Sequence, residues 1–137
     1  MTLSKQQQVA VQTTFRSVET DFDRFALAFY GHLFEQDQSL RKLFKTDLKQ
    51  QGDVLVRMLN IALAGLDRPA DLLPTLHDMG RHHTGYGVKP QDFETFGKAL
   101  TQTLSEFLGP DFTPEVAEAW NEFYKILAAA AIDGMHQ

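Results

Sequence analysis

The sequence predicts an all-α domain, and three observations carry that prediction. Every long segment repeats its apolar residues at the spacing of a helix with one buried face. No segment alternates apolar and polar residues as a half-buried strand does, and no fixed-period repeat or low-complexity tract is present. Prolines mark several joints between the periodic segments, at LDRPAD, Lys89-Pro90, Gly109-Pro110 and Thr113-Pro114. With 137 residues the chain is expected to form one domain over 1–137.

Taken in order, Leu3 to Glu19 reads as a helix with Val11, Phe15 and Val18 on its buried side. Thr20 followed by Asp23 caps a second helix. Its wide apolar face holds Phe22, Phe25, Ala26, Phe29, Leu33 and Phe34. Tyr30 stands on the margin of that face, and His32 points away from it into solvent. Asp37 to Leu43 is short and polar and makes a turn that delivers Phe44, after which KTDLKQQGD is a polar loop. A third helix runs from about Gln51 to Leu66 on the doublets Val54-Leu55, Met58-Leu59 and Ala62-Leu63. Gln51 and Leu55 are four apart and share a face, so an amide heads an otherwise apolar row. A surface glutamine at a frayed helix start would give the same pattern.

LDRPAD leads to a helix rich in histidine. Lys89-Pro90 then opens another helix with proline at its first position, bearing Phe93, Phe96, Leu100, Leu104 and Phe107. Gly109-Pro110 stops it, and Thr113-Pro114-Glu115 starts the last, with Val116, Trp120, Phe123, Leu127 and Ala131 as its stripe. The total is six or so main helices.

Composition narrows the function. A net charge of −5 with no basic stripe argues against nucleic acid. The absence of cysteine excludes a disulfide frame, an iron–sulfur cluster and a thiolate ligand. MTLSKQQQ lacks the apolar core of a signal peptide, and the longest apolar run, Ile126 to Ile132, is far too short to span a bilayer. The expectation is a cytoplasmic protein with no membrane partner. Eleven phenylalanines are a heavy load, open either to plain core packing or to lining a flat cofactor slot.

The stretch Leu72 to Val88, LLPTLHDMGRHHTGYGV, holds the most pointed chemistry. On a helical wheel Leu72, Leu73, Leu76, Met79 and Gly80 form one apolar arc, with His83 near its middle. His77 and His82 project to either side. A neutral imidazole in an apolar wall suits iron, as in proximal ligation of haem. A core histidine bonded to a backbone carbonyl fits the same placement. There is no HExxH, no phosphate-cradling glycine loop and no nucleophile elbow. A helical binding pocket and a plain helical interaction domain both remain open on the residues alone.

The order of parts decides more than any one of them. FYGHLF, LRKLF, the Gln51 and Leu55 pair, LLPTLHDMGRHH with YGVKPQDF, and EAW then FY together resemble a bacterial single-domain globin. The likeness is to the haemoglobin domain of the flavohaemoglobins and covers essentially the whole chain. It implies a globin fold of about six to eight helices around a haem pocket, holding haem b with His83 as proximal iron ligand. It further implies Phe44 packed on the porphyrin, Tyr30 and Gln51 as distal donors, and Leu55 as the apolar distal contact. Tyr86, Val88, Phe93 and Phe96 match positions around the cofactor, and Arg81 and Lys49 are candidates for the propionates.

The departures also matter. Where flavohaemoglobins brace the proximal histidine with a tyrosine and a glutamate, this chain has Phe93 and Met135. The His83 ring N–H is then expected to donate to the Met79 carbonyl, four residues back. That arrangement favours reversible ligand binding over peroxidase-like O–O cleavage. The chain ends after the last helix, so no reductase domain is expected on it.

The resemblance implies dioxygen, nitric oxide and carbon monoxide as ligands, for oxygen binding, storage or transport. Nitric oxide dioxygenation is implied only with a separate flavin- or NAD(P)H-dependent reductase. A gas-sensing module and a haem-free helical interaction module are the alternatives.

Overall fold

A computed structural model describes residues 3–43, 48–66, 74–75 and 89–135. Among them are five α-helices and two 3-10 segments: α1 (Lys5–Glu19), α2 (Phe22–Gln36), α3 (Leu48–Ala64), α4 (Asp92–Leu108) and α5 (Pro114–Met135). The 3-10 segments are Gln38–Leu43 and Gly109–Asp111. The histidine-rich segment lies outside the described residues, apart from helical Pro74 and Thr75.

Helix starts differ from the sequence reading in ways that hydrogen bonding explains. α1 begins at Lys5 because Ser4 forms a reciprocal cap: Gln7 N–H donates to Ser4 Oγ, and Ser4 N–H donates to Gln7 Oε1. Thr20 does not cap α2; it closes α1, its hydroxyl donating to the Ser17 carbonyl. Asp21 heads α2 without a side-chain cap, its carboxylate accepting from Arg24 instead. α3 begins at Leu48, inside the stretch read as a polar loop; Leu48, Lys49, Gln50 and Gln51 are all good helix formers, and the one glycine, Gly52, is retained where the helix meets α2. Pro90 sits in a turn and not at the first position of α4. Lys89 N–H donates to Asp92 Oδ2, so the turn spans Lys89 to Asp92 before the helix begins. The other two ends match: Gly109 stops α4 at φ +53°, a conformation glycine adopts without strain. Thr113 Oγ1 accepts from Val116 N–H at the start of α5.

The helices pack as their apolar stripes require. α2 lies most extensively against α4 and next against α3, while α1 lies along α5. Phe25 meets Phe107 edge-on at 5.3 Å, joining α2 to α4. Trp120 and Phe123 of α5 are fully buried, and Trp120 Nε1 donates to Thr14 Oγ1 of α1 at 2.8 Å. Thr14 passes its own proton to the Ala10 carbonyl, so this buried polar chain is satisfied.

α2 and α3 approach closely enough to need a glycine. A Cβ at Gly52 would come within 2.9 Å of the Ala26 Cβ, so only a hydrogen fits there. His32 also departs from its expected solvated position. Its side chain is only 16% exposed, with Nε2 lying 2.5 Å from Glu106 Oε1 and tying α2 to α4.

Candidate ligand-binding site

Tyr30 is the best-defined member of the candidate site. FALAFYGHLF gives α2 an apolar face wide enough to carry the phenol inward, and Tyr30 is 3% exposed, not marginal. Its ring meets Phe29 edge-on at 5.1 Å and stacks on Phe34 at 6.2 Å with 20° between planes. Burial pushes the phenol well above its usual range, because a phenolate there would lose its hydration. The group is therefore a neutral O–H, able to donate.

Leu55 of α3 is half-buried and packs against the same apolar cluster as Tyr30. Gln51 lies one turn earlier in α3; its side chain is outside what the structure describes. Phe93 and Phe96 open α4, their rings edge-to-face at 5.6 Å. The apolar interior divides here. Phe93 belongs with Ala131, Ala128 and Ile132 in a small cluster apart from the main core, and Phe96 packs against both.

The start of α4 carries a feature that periodicity alone does not reveal. Tyr124 of α5 donates its hydroxyl proton to the Phe93 carbonyl at 2.6 Å. Its ring crosses α4 at Gly97, where a Cβ would lie 2.7 Å from Tyr124 Cε2. Burial raises this phenol well above its usual range too. A tyrosine placed four residues after the Trp120 stripe position, opposite a glycine mid-helix, is the only sequence signal for the contact.

The structure thus assigns Tyr30, Leu55 and Phe96 to one apolar cluster and places Phe93 beside Phe96. Phe44, His83, Tyr86 and Val88 lie outside the described residues, as do His77, His82, Met79 and Arg81. Lys49 and Met135 are helical, with side chains outside the description.

Comparison with known proteins fixes the family. The profile described as Globin matches residues 27–131. The chain belongs to the globin family. All nine candidate site positions, from Tyr30 to Phe96, fall inside the matched range. The chain is similar to Flavohemoprotein of Bacillus subtilis (strain 168), with 29% identity over 107 residues, or 76% of this chain and 27% of that protein. It is similar also to Flavohemoprotein of Chromobacterium violaceum, with 26% identity over 133 residues, or 95% of this chain and 33% of the relative. The chain therefore spans about a quarter to a third of the length of these curated relatives.

Among solved structures, it matches the crystal structure of a hexacoordinated heme protein from an anhydrobiotic tardigrade at pH 4. The TM-score is 0.88 at 15% identity, covering 98% of this chain and 96% of that one, which is a likeness of fold.

Globin membership brings haem-based gas binding as the general chemistry of this chain. The described site residues fit such a group. Leu55, Phe93 and Phe96 are apolar, as the faces of a macrocycle require, and Tyr30 adds a neutral donor without a charge. Among the described residues, no helix is long and apolar enough to cross a membrane.

Proposed function

We propose that this chain binds haem b through His83 and holds dioxygen reversibly under Tyr30 and Gln51. A haem held by His83 would supply iron able to bind a diatomic gas. The chain's own side chains decide which gas is favoured and how long it stays. The neutral donors Tyr30 and Gln51 would favour a ligand that takes on partial negative charge when bound, as dioxygen does more than carbon monoxide. Each such hydrogen bond contributes about 0.5–1.5 kcal/mol. Two donors together give about 1–3 kcal/mol, or roughly five- to a hundredfold in affinity, expressed mainly as slower release.

The observation that carries this reading is the buried, protonated phenol of Tyr30 on α2 of a globin-family chain. Support for reversible binding comes from the other side of the site. By the resemblance, Phe93 and Met135 take the positions with which flavohaemoglobins brace the proximal histidine, and Tyr124, the phenol that reaches Phe93, directs its proton to a backbone carbonyl. On this reading the His83 ring N–H would donate to the Met79 carbonyl, four residues back, with no carboxylate partner to raise the basicity of the imidazole. Tyr30→Phe is expected to speed dioxygen release about tenfold. An unchanged release rate would remove Tyr30 from the distal site.

A second reading, nitric oxide dioxygenation, is favoured by the flavohemoproteins among the relatives. It requires a separate flavin- or NAD(P)H-dependent reductase as partner. Mixing the dioxygen complex with nitric oxide, then coupling to a reductase, tests it. Sustained nitrate formation supports the enzyme, whereas a single slow turnover leaves oxygen binding, storage or transport.

A further inference from the structure

Three side chains stack from the surface down to the candidate distal donor. Arg41, exposed in the 3-10 segment after α2, places its guanidinium carbon 5.4 Å from the Phe34 ring centroid. Phe34, half-buried in the last turn of α2, lies nearly parallel to the Tyr30 ring. Residues 30 and 34 are four apart on one helix and so share a face. The segment that carries Arg41 is itself fixed. Asp37 Oδ1 accepts from the Ser39 N–H at 3.0 Å and from the Ser39 hydroxyl at 2.6 Å. Leu40 N–H donates to the Asp37 carbonyl, and the Leu40 side chain is buried in the core. Arg41 is thus delivered from a pinned turn and not from a free loop.

We propose that Arg41 is a positioning residue for Tyr30, acting through Phe34. A cation over an aromatic face is attracted by the ring quadrupole. Near the end of a helix a half-buried phenylalanine has more than one staggered rotamer open to it, and the guanidinium favours the one stacked on Tyr30. That ring is part of the wall against which the phenol rests, so its orientation helps hold the Tyr30 ring and the oxygen it carries in place. The inference rests on the reading of Tyr30 as the distal donor. For an exposed pair the attraction shifts the Phe34 rotamer population by about two- to fivefold.

Two surface variants test it with the fold kept intact. Arg41→Met keeps an unbranched apolar stem but removes the charged guanidinium; Arg41→Lys keeps the charge. The first readout is the C–O stretching frequency of the carbon monoxide complex, which reports the donor's field at the ligand and does not follow global stability. The second is the dioxygen release rate. Arg41→Met is expected to move the stretch toward the Tyr30→Phe value and to speed release about two- to fivefold. Arg41→Lys should retain most of the parent behaviour. In a Tyr30→Phe background Arg41→Met should add nothing, because its effect passes through the phenol. An unmoved stretch in Arg41→Met, or the same acceleration with Tyr30 already removed, overturns the proposal. If Tyr30→Phe alone changes neither readout, the donor assignment itself fails and the proposal falls with it.

Discussion

Exchanging a glycine for alanine should have opposite effects at two positions in neighbouring helices. Gly31 lies within α2, and a Cβ there meets nothing within 4 Å among the described residues. Gly31→Ala therefore gains only helix propensity, about 1 kcal/mol of stabilisation. Gly52 in α3 gains the same propensity, but its Cβ would come within 2.9 Å of Ala26 Cβ. Ala26 has no flexible end to swing aside, so α2 and α3 must separate by several tenths of an ångström. Overpacking of this kind costs about 1–3 kcal/mol. The net for Gly52→Ala is then about 0–2 kcal/mol of destabilisation, and the two variants should differ by about 1–3 kcal/mol.

Urea unfolding of the parent, both single variants and Ala26→Gly/Gly52→Ala reads this directly. The double variant should recover most of the overpacking loss, since removing the facing Cβ reopens the crossing. The crossing also lies beside the candidate site: Ala26 is one turn before Tyr30, and Gly52 adjoins Gln51. Ligand release should therefore shift in Gly52→Ala and stay at the parent value in Gly31→Ala. Equal stabilisation by the two alanines would refute the close approach of α2 and α3.

The other predictions concern the buried phenols. Tyr124→Phe removes the bond to the Phe93 carbonyl and should cost about 1 kcal/mol in urea unfolding. Gly97→Ala drives a methyl into the Tyr124 ring and should destabilise the parent more than it does the Tyr124→Leu variant; equal losses in both would place the ring elsewhere. The pH dependence follows from the raised phenols of Tyr30 and Tyr124. The unfolded chain gives up these protons near pH 10, while the folded chain keeps them. Their contribution is thus fully present below about pH 10 and is lost as pH rises past it, because the folded state then binds more protons. Phenolate absorbance should show these two groups ionising only together with alkaline unfolding. Reversible ionisation near pH 10 in the folded protein would contradict their burial.

The sequence conveyed the helices better than their starts, for a physical reason. Burial patterns repeat over several turns, so Val11, Phe15 and Val18, or Trp120 and Phe123, announce their faces redundantly. A cap is decided by one side chain choosing among nearby amides. Thr20 had as good a residue type for capping α2 as for closing α1, and only the backbone path settled it. Polar residues within apolar faces were the hardest to place. Tyr30 and His32 both flank the main stripe of α2, and what separates their fates is the partner helix, which a single chain read in order does not display. Glu106, far along the chain, is what draws His32 inward. The Tyr124 to Phe93 bond and the Gly52 crossing are likewise pairwise facts between distant segments. Tyr30 and Leu55 could be named early because an ordered set of motifs resembled a known family, and not because spacing alone singled them out.

The central claim is that His83 holds a haem iron in this globin-family chain. It is tested most directly by the visible spectrum of the purified, reduced protein and of its His83→Ala variant at matched haem loading conditions. The account predicts a strong Soret band in the parent that moves on adding carbon monoxide, and its loss or collapse in His83→Ala. A parent that purifies colourless and folds fully without haem, or a variant with an unaltered spectrum, would contradict it.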